Sequence, residues 1–304
     1  VRLRLLGTAA GGGFPQWNCA CAQCAGVRAG TLRARRRTQA SAAATADGTR
    51  WALVGASPDV ASQIEDFEAL HPRAPRRSPI AAVLLPNGDL DSCLGLFVLR
   101  EEAPLAVYAT AAVIDGLITA GRLVRTLMRS ARQVVFRPLP LDENVPLCDV
   151  DGAPLGMRAR AIPAPGKAAL HLDGVVPRTP EENVGFVLRA DAGAIAYFPS
   201  VAGPSPQLAA ALAACRAIVF DGTFYRDDEM TARGLSARSA RAMAHWPLEG
   251  DDGSLAFLAG LAPRRRILTH VNNTNPILVE DSVERRAVEA LGVEVGHDGL
   301  EVLT

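Results

Sequence analysis

Three cysteines fall within six positions, Cys19, Cys21 and Cys24, in the polar, turn-rich run Trp17–Cys24. Thiolates are favoured zinc donors, and three from one tight loop need a fourth ligand from elsewhere to complete a tetrahedron. A sulfur-rich set of this kind suits a closed, structural zinc ion better than a catalytic one. Cysteines serving only as small core residues would not be expected in so polar a segment. His270, at the end of a short apolar strand, is the leading candidate for the fourth ligand, with His297 and Asn273 behind it. The remaining cysteines, Cys93, Cys148 and Cys215, are scattered, whereas a disulfide framework would spread its pairs along the chain. The cysteine pattern therefore reads as one metal site in a protein of a reducing, cytoplasmic compartment.

Two other local patterns bear on binding. The loop Gly11-Gly12-Gly13-Phe14-Pro15 lacks both the Lys-Ser/Thr of a phosphate loop and dinucleotide GxGxxG spacing, so it is not a nucleotide cradle. The basic run Arg33–Arg37 reads either as a solvated turn or as a rim that attracts an acidic substrate. Over all 304 residues, 32 basic and 32 acidic side chains cancel, which argues against broad binding to nucleic acid or an anionic membrane. The longest apolar runs, Ile80–Leu85 and Leu208–Ala214, are too short to span a bilayer. The opening residues lack a long apolar core and read as a strand entering the glycine loop, not as a signal peptide.

The elements that must position these groups are short. Arg2–Leu6 reads as a strand, and Ala40–Ala46 with Trp51–Gly55 as a hairpin around Asp47-Gly48. Ser57-Pro58-Asp59 suits the start of a helix over Val60–Leu70. The apolar strand Ile80–Leu85 runs into the polar loop Pro86–Ser92, a placement typical of chemistry in layered α/β proteins. Leu105–Ala109, Val184–Arg189, Gly193–Phe198, Ala217–Phe220 and Arg266–Thr269 read as further strands, with His171 on another. Helices are expected over Ala112–Ala120, Leu208–Ala214 and Val283–Leu291, and last strands over Val293–Val295 and Leu300–Leu303. Aromatics are only 5% of the chain, so the core must be built mainly from Ala, Leu and Val. Many short strands early and late, with helices between, predict an α/β fold of two mixed sheets packed together with helices outside.

Several of these runs also match a family. Leu5–Cys24 (LLGTAAGGGFPQWNCACAQC), Arg36-Arg37-Thr38-Gln39, Ala56-Ser57-Pro58-Asp59, Asp221-Gly222-Thr223, His270–Pro276 and His297–Leu300 strongly resemble the PQQ biosynthesis protein B family from end to end. The resemblance implies a metallo-β-lactamase αββα sandwich, one domain over residues 1–304 with a zinc loop at 11–25. It also implies a role in making pyrroloquinoline quinone (PQQ) from a Glu- and Tyr-containing precursor peptide, through hydroxylation of the tyrosine ring with O₂ at non-haem iron. The implied cofactors are structural Zn²⁺, Fe²⁺ at a second site and PQQ as a product ligand. The implied partners are that precursor and other proteins of the pathway, and a homodimer is compatible with the reading.

The second metal site is assigned through the resemblance. The broad fold family carries His-x-His-x-Asp-His after a buried strand, and the PQQ branch alters its first half while usually keeping the final Asp-His. Here the stretch reads Asn87-Gly88-Asp89-Leu90-Asp91-Ser92, so Asp89 and Asp91 remain as carboxylates and Ser92 replaces the expected histidine. A serine hydroxyl is a much weaker iron donor than imidazole. Asp221 matches the fold's acidic ligand position, and His245, in Met243-Ala244-His245-Trp246, matches a family histidine. Asp89, Asp91, Asp221 and His245 are thus the implied catalytic set, with Cys93 discounted. Two other readings compete with an oxygenase. Ser92 favours a pathway binding or carrier protein with a degenerate centre, and the broad fold favours a metal-dependent hydrolase.

Overall fold

The computed structural model describes every residue except 102, 121–123, 129–132, 175–177 and 263–264. Its strands are β1 (Arg2–Gly7), β2 (Ser41–Thr45), β3 (Trp51–Val54), β4 (Ile80–Leu84), β5 (Leu105–Ala109), β6 (Val134–Pro138) and β7 (Val145–Cys148), then β8 (Pro154–Pro163), β9 (Val184–Ala190), β10 (Gly193–Phe198), β11 (Ala217–Asp221), β12 (Arg265–Thr269), β13 (Val293–Val295) and β14 (Glu301–Leu303). They form two seven-stranded sheets, ordered β14-β1-β2-β3-β4-β5-β6 and β13-β12-β11-β10-β9-β8-β7. Each sheet is antiparallel on one side and parallel on the other, with β3 to β6 and β10 to β13 as the parallel halves.

Side-chain alternation explains why both faces of these strands are apolar. Ala52, Val54, Ala82, Leu84, Ala106 and Tyr108 face inward and meet Phe186, Ile195, Tyr197, Val219 and Ile267 of the other sheet. Their neighbours Trp51, Leu53, Val83 and Val107 face outward, into a layer with Val60, Leu70, Val113 and Leu117 from helices. On the other side, Phe198, Ile218, Phe220 and Leu268 pack on Leu208, Leu212, Leu255, Leu258 and Val288. The result is the expected two-sheet sandwich with helical outer layers.

Several local expectations change. The helix predicted over Val60–Leu70 ends at Glu65 and resumes as a short 3₁₀ turn at Glu68–Leu70. Extended backbone at Phe67 lets its ring meet Trp51 edge-on, with centroids 5.1 Å apart, so tertiary packing overrides the helical run. His171 lies in an exposed turn, not on a strand. β6, β7 and β8 were not among the expected strands; Pro138 ends β6, Pro146 lies within β7 and Pro154 begins β8. β6 and β7 are edge strands, where proline is tolerated. No described helix is long and apolar enough to cross a membrane.

The segments after β11 and β12 interlock. Asn275 Nδ2 donates to the Gly222 and Thr223 carbonyls at 2.9 and 3.2 Å, and the Asn272 amide donates to Thr223 O at 3.0 Å. Buried Glu229 accepts the Thr274 hydroxyl and the Tyr225 amide, bracing the same junction. Burial pushes the Glu229 carboxyl up to about 7, against the pull of Thr274 and Tyr225. The folded state then holds this proton over a range where the unfolded chain has released it. Stability should therefore fall as pH rises from the ordinary glutamate range through about 7. The loss from this group is about 3 kcal/mol at most. Urea unfolding at pH 5 and pH 8 checks this: Glu229→Gln should lose less stability between the two than the parent chain. An identical loss in both proteins would remove Glu229 from the account.

Candidate metal centres

The polar loop after β4 is pinned before it reaches its carboxylates. Asn87 donates to Asn183 Oδ1 at 3.1 Å and accepts the Asp89 amide at 3.1 Å. The chain then enters a short helix, Leu90–Cys93, in place of an open loop. Asp89, Asp91 and Ser92 line the cavity beyond it. Cys93 turns away: its thiol donates to Gly88 O at 3.5 Å, and burial pushes it up to about 12. The glycine loop closes over this side. A Cβ on Gly11 would stand 3.2 Å from Asp91 Oδ2, so a side chain there would crowd the carboxylate.

Across the mouth of the sandwich, Asp221 continues the inward alternation of Ala217 and Val219 at the end of β11. Its Oδ1 accepts from the Thr223 amide (2.9 Å) and hydroxyl, and its Oδ2 from the Val201 amide and His245 Nδ1, both at 2.8 Å. Burial opposes its charge, but His245, His270 and Thr223 outweigh burial and hold the carboxyl below its usual range. A carboxylate has about four lone-pair sites, and these donors fill them. Asp221 thus organises the histidines.

The proton directions follow. Asp221 can only accept, so His245 Nδ1 carries the hydrogen and Nε2 keeps the lone pair. Thr223 gives its hydroxyl hydrogen to Asp221, so it must accept from His270 Nδ1 at 2.8 Å, which leaves a lone pair on His270 Nε2. That nitrogen faces Asp91 Oδ2 at 3.2 Å. Two lone-pair carriers at this distance require a proton or a metal cation between them. Donors in cis positions around an octahedral ion, each about 2.1 Å from it, sit about 3 Å apart. Burial lowers the His270 imidazole, but Asp91, Asp221 and Asp89 reverse that and raise it. Asp91 is correspondingly held low against burial by His270 and His245, whereas Asp89 is raised by burial and then by the Asp91 charge. The imidazole rings stack with centroids 5.3 Å apart, and one donor atom each from Asp221, His245 and His270 lie within 4.8 Å of one another. Left-handed backbone at His270 (φ 57°) and at Ala244 (φ 63°) turns both histidines toward the site. Such conformations cost about 1 kcal/mol or more per non-glycine residue and collect at functional sites. His245 accordingly follows a short 3₁₀ turn, Arg241–Met243, and not the end of a longer helix.

The cysteine cluster forms separately. Cys19, Cys21 and Cys24 bring their sulfurs within 4.8 Å of one another, with Cys24 on the first turn of a helix, Ala22–Ala29. The expected fourth partner, His270, is not with them. It is committed to Thr223 and Asp91, while His297 bonds the Asp298 carbonyl. Asn273 takes that side instead: its carboxamide lies 3.2, 3.7 and 3.4 Å from the sulfurs of Cys19, Cys21 and Cys24. Gln23 Nε2 ties the helix to Thr274 O at 2.6 Å, and Arg233 bonds Gln23 at 2.7 Å. Burial pushes the Cys24 thiol up to about 11, whereas hydrogen bonds from Cys24 and Cys19 outweigh burial at Cys21 and lower it. Three thiols in one polar pocket under a carboxamide fit a thiolate-binding ion such as zinc. None of the six cysteines forms a disulfide.

A cavity of about 700 Å³ lies over the Asp–His cluster, within the usual range for small-molecule sites. The run Arg33–Arg37 supplies none of its lining. Arg37 is only 6% exposed and bonds the Thr8 hydroxyl (2.9 Å) and the Gly296 carbonyl, while Arg35 pairs with Glu280 at 3.2 Å. Part of the run is therefore a structural strut. The basic lining comes from Lys167 and Arg238, which the sequence reading did not select. Pro165-Gly166-Lys167 after a strand was a usable signal for Lys167, and nothing local marked Arg238.

Other runs singled out in the sequence serve as scaffold. Asp298 accepts Thr8 and Thr38, and Asp59 accepts Gln39, which in turn accepts the Gly12 amide at 3.1 Å. Residues 50–271 match the model of the β-lactamase superfamily domain. Coenzyme PQQ synthesis protein B of Methylobacterium sp. (strain 4-46) is 42% identical over 301 residues, covering 97% of both chains. The protein of that name from Ruegeria pomeroyi is 39% identical over 306 residues, covering all of both. Among solved structures, Zn²⁺-bound PqqB from Methylobacterium extorquens superposes with TM-score 0.92 at 40% identity over the full length of both chains. A diphosphatase of the PhnP family (TM-score 0.69, 18% identity, 99% and 96% of the two chains) shares the fold. With these relatives matched from end to end, the chain belongs to the coenzyme PQQ synthesis protein B family, within the β-lactamase superfamily.

Proposed function

We propose that this protein acts in PQQ biosynthesis as an iron-dependent oxygenase that hydroxylates the tyrosine ring of the peptide-derived precursor, with zinc held by the cysteine loop. The observation that carries the reading is the facing pair His270 Nε2 and Asp91 Oδ2, beside His245 with its Nδ1 already committed to Asp221. Two imidazoles and a carboxylate around open space suit non-haem iron. Iron would be held by His245, His270 and Asp91, with Asp89 beside them, and would supply the activation of O₂ that ring hydroxylation needs. Asp221 and Thr223 fix the ring orientations by engaging the two Nδ1 atoms, so that each Nε2 is turned toward the space an ion would occupy. Asp89 lines the same cavity two residues before Asp91. The zinc bound in the solved relative supports a zinc ion here, with Asn273 over the three sulfurs.

Ser92 favours a second reading, a pathway binding protein with a weakened oxidative centre, because it lines the cavity where imidazole would strengthen the site. Metal counting after anaerobic iron loading, followed by turnover of a tyrosine-containing precursor with O₂ and ascorbate, separates the two. The oxygenase reading expects one zinc and one iron per chain and a hydroxylated product. His270→Ala should lose the iron and retain the zinc, whereas Cys21→Ser should lose the zinc and, with its hold on Asn273 gone, weaken the iron site as well. Full zinc occupancy with no second metal at any iron concentration would leave the binding-protein reading. Ser92→His should tighten iron binding on the order of tenfold, about 1.4 kcal/mol, read by competition with a chelator. Unchanged affinity would show that position 92 does not face the ion.

A further inference from the structure

A second cavity, of about 430 Å³, adjoins the one over the Asp–His cluster and has no lining residue in common with it. Its floor includes Ala164, Glu182 and Asn183, all buried, and its rim the exposed Pro180, Pro206 and Gln207. Asn183 is fixed on three sides. Its Nδ2 donates to Ala164 O and Ser200 O at 3.2 and 2.9 Å, and its Oδ1 accepts Asn87 Nδ2 at 3.1 Å. A Cβ on Gly166 would stand 2.5 Å from Asn183 Nδ2, so this floor is closely packed. Glu182 differs from its surroundings. It is only 9% exposed, and its buried Oε1 has no hydrogen-bond partner among the described residues. The adjacent Glu181, by contrast, accepts the Ala112 amide at 3.0 Å. A buried carboxylate oxygen without a donor costs free energy that an incoming donor would recover. The terminal torsion of a glutamate is soft, so that oxygen can turn toward the cavity without moving the backbone.

The rest of the lining selects the charge and shape of an occupant. Among the described residues no lysine, arginine or histidine lines this cavity, and Glu182 is its one formally charged group. The helix that starts at Pro206 offers no anion site: proline has no N–H, and the Leu208 N–H is taken by the Ser205 hydroxyl at 3.1 Å. A divalent metal ion would need more anionic oxygens than one carboxylate supplies. An organic cation fits instead, and the rings of Pro163, Pro165, Pro180 and Pro206 suit an apolar stem. We propose that this cavity binds an arginine side chain of a partner protein, with the guanidinium against Glu182 and the methylenes against the prolines. A guanidinium fork matches both oxygens of a carboxylate. Free arginine would bring an α-carboxylate for which the lining holds no cation, so an arginine within a chain is the better occupant. The site requires neither metal centre and stands apart from the oxygenase reading.

NMR titration of the isotope-labelled protein with N-acetylarginine methylamide tests this, beside the neutral isostere N-acetylcitrulline methylamide and free arginine. The capped arginine should shift the signals of the Asn183 side-chain amide and the Gly166 amide, and its binding should weaken with added salt. Affinity should fall about tenfold or more in Glu182→Gln. That variant should unfold at or above the parent's midpoint, because it removes an unpaired buried charge, so its loss of binding would not be a loss of fold. His270→Ala should bind the capped arginine as the parent does, which keeps this result separate from the metal reading. Equal binding of the citrulline derivative, or parent-like affinity in Glu182→Gln, would overturn the proposal. So would shifts confined to the cavity over the Asp–His cluster, or no shift at any concentration. Free arginine bound as tightly as the capped form would overturn the assignment to a partner protein.

Discussion

One short segment, the residues following β12, has to satisfy two clusters of donor atoms at once. His270 leaves the strand in a left-handed conformation and reaches Asp91 and Thr223, while Asn273, three residues on, lies against the sulfurs of Cys19, Cys21 and Cys24. Asn275 then fastens the segment to the carbonyls of Gly222 and Thr223, beside Asp221. The spacing leaves little slack, because a rotation that improved one cluster would displace the other. The cysteine loop is thus a clamp on the backbone that presents His270. A closed ion there would stabilise the active face without entering its chemistry.

The second cluster is governed by an excess of acceptors. Asp221 is saturated by the amides of Val201 and Thr223, the Thr223 hydroxyl and His245. That saturation forces both imidazoles to present their Nε2 lone pairs to the space beside Asp91. Burying such a set without a cation is costly, and burial lowers the His270 imidazole while Asp91, Asp221 and Asp89 outweigh that and raise it. The same logic separates the roles of the carboxylates. Asp221 orients, Asp91 faces the open position, and Asp89 holds its proton more tightly. Lys167 and Arg238 line the same cavity.

Much of this was legible in the sequence. The two-sheet sandwich followed from short apolar strands with buried alternation, and the cysteine spacing marked its cluster directly. Asp89, Asp91, Asp221 and His245 were selected through family runs; Asp89, Asp91 and His245 line one cavity, and Asp221 is buried behind His245. His270 was assigned to the cysteines because it sits at the end of an apolar strand, and spacing along a chain carries no information about which of two clusters a strand-end side chain will meet. Its left-handed backbone, which decides the matter, has no signature in a histidine. Arg37 misled for a similar reason. A basic run looks solvated until one member is drawn inward by Thr8 and a carbonyl. Arg238 could not be found at all, since nothing in its local sequence marks it as part of the cavity lining.

The central claim is that one segment serves two metal sites, with His270 on the first and Asn273 on the second. Anomalous diffraction from crystals of the iron-loaded protein, collected at the zinc and iron absorption edges, tests it most directly. The account predicts a zinc peak among Cys19, Cys21, Cys24 and Asn273, and a separate iron peak bonded to His270, His245 and Asp91. A single peak at the cysteines with His270 among its ligands, or iron bound by Asp221 with His270 free, would contradict it.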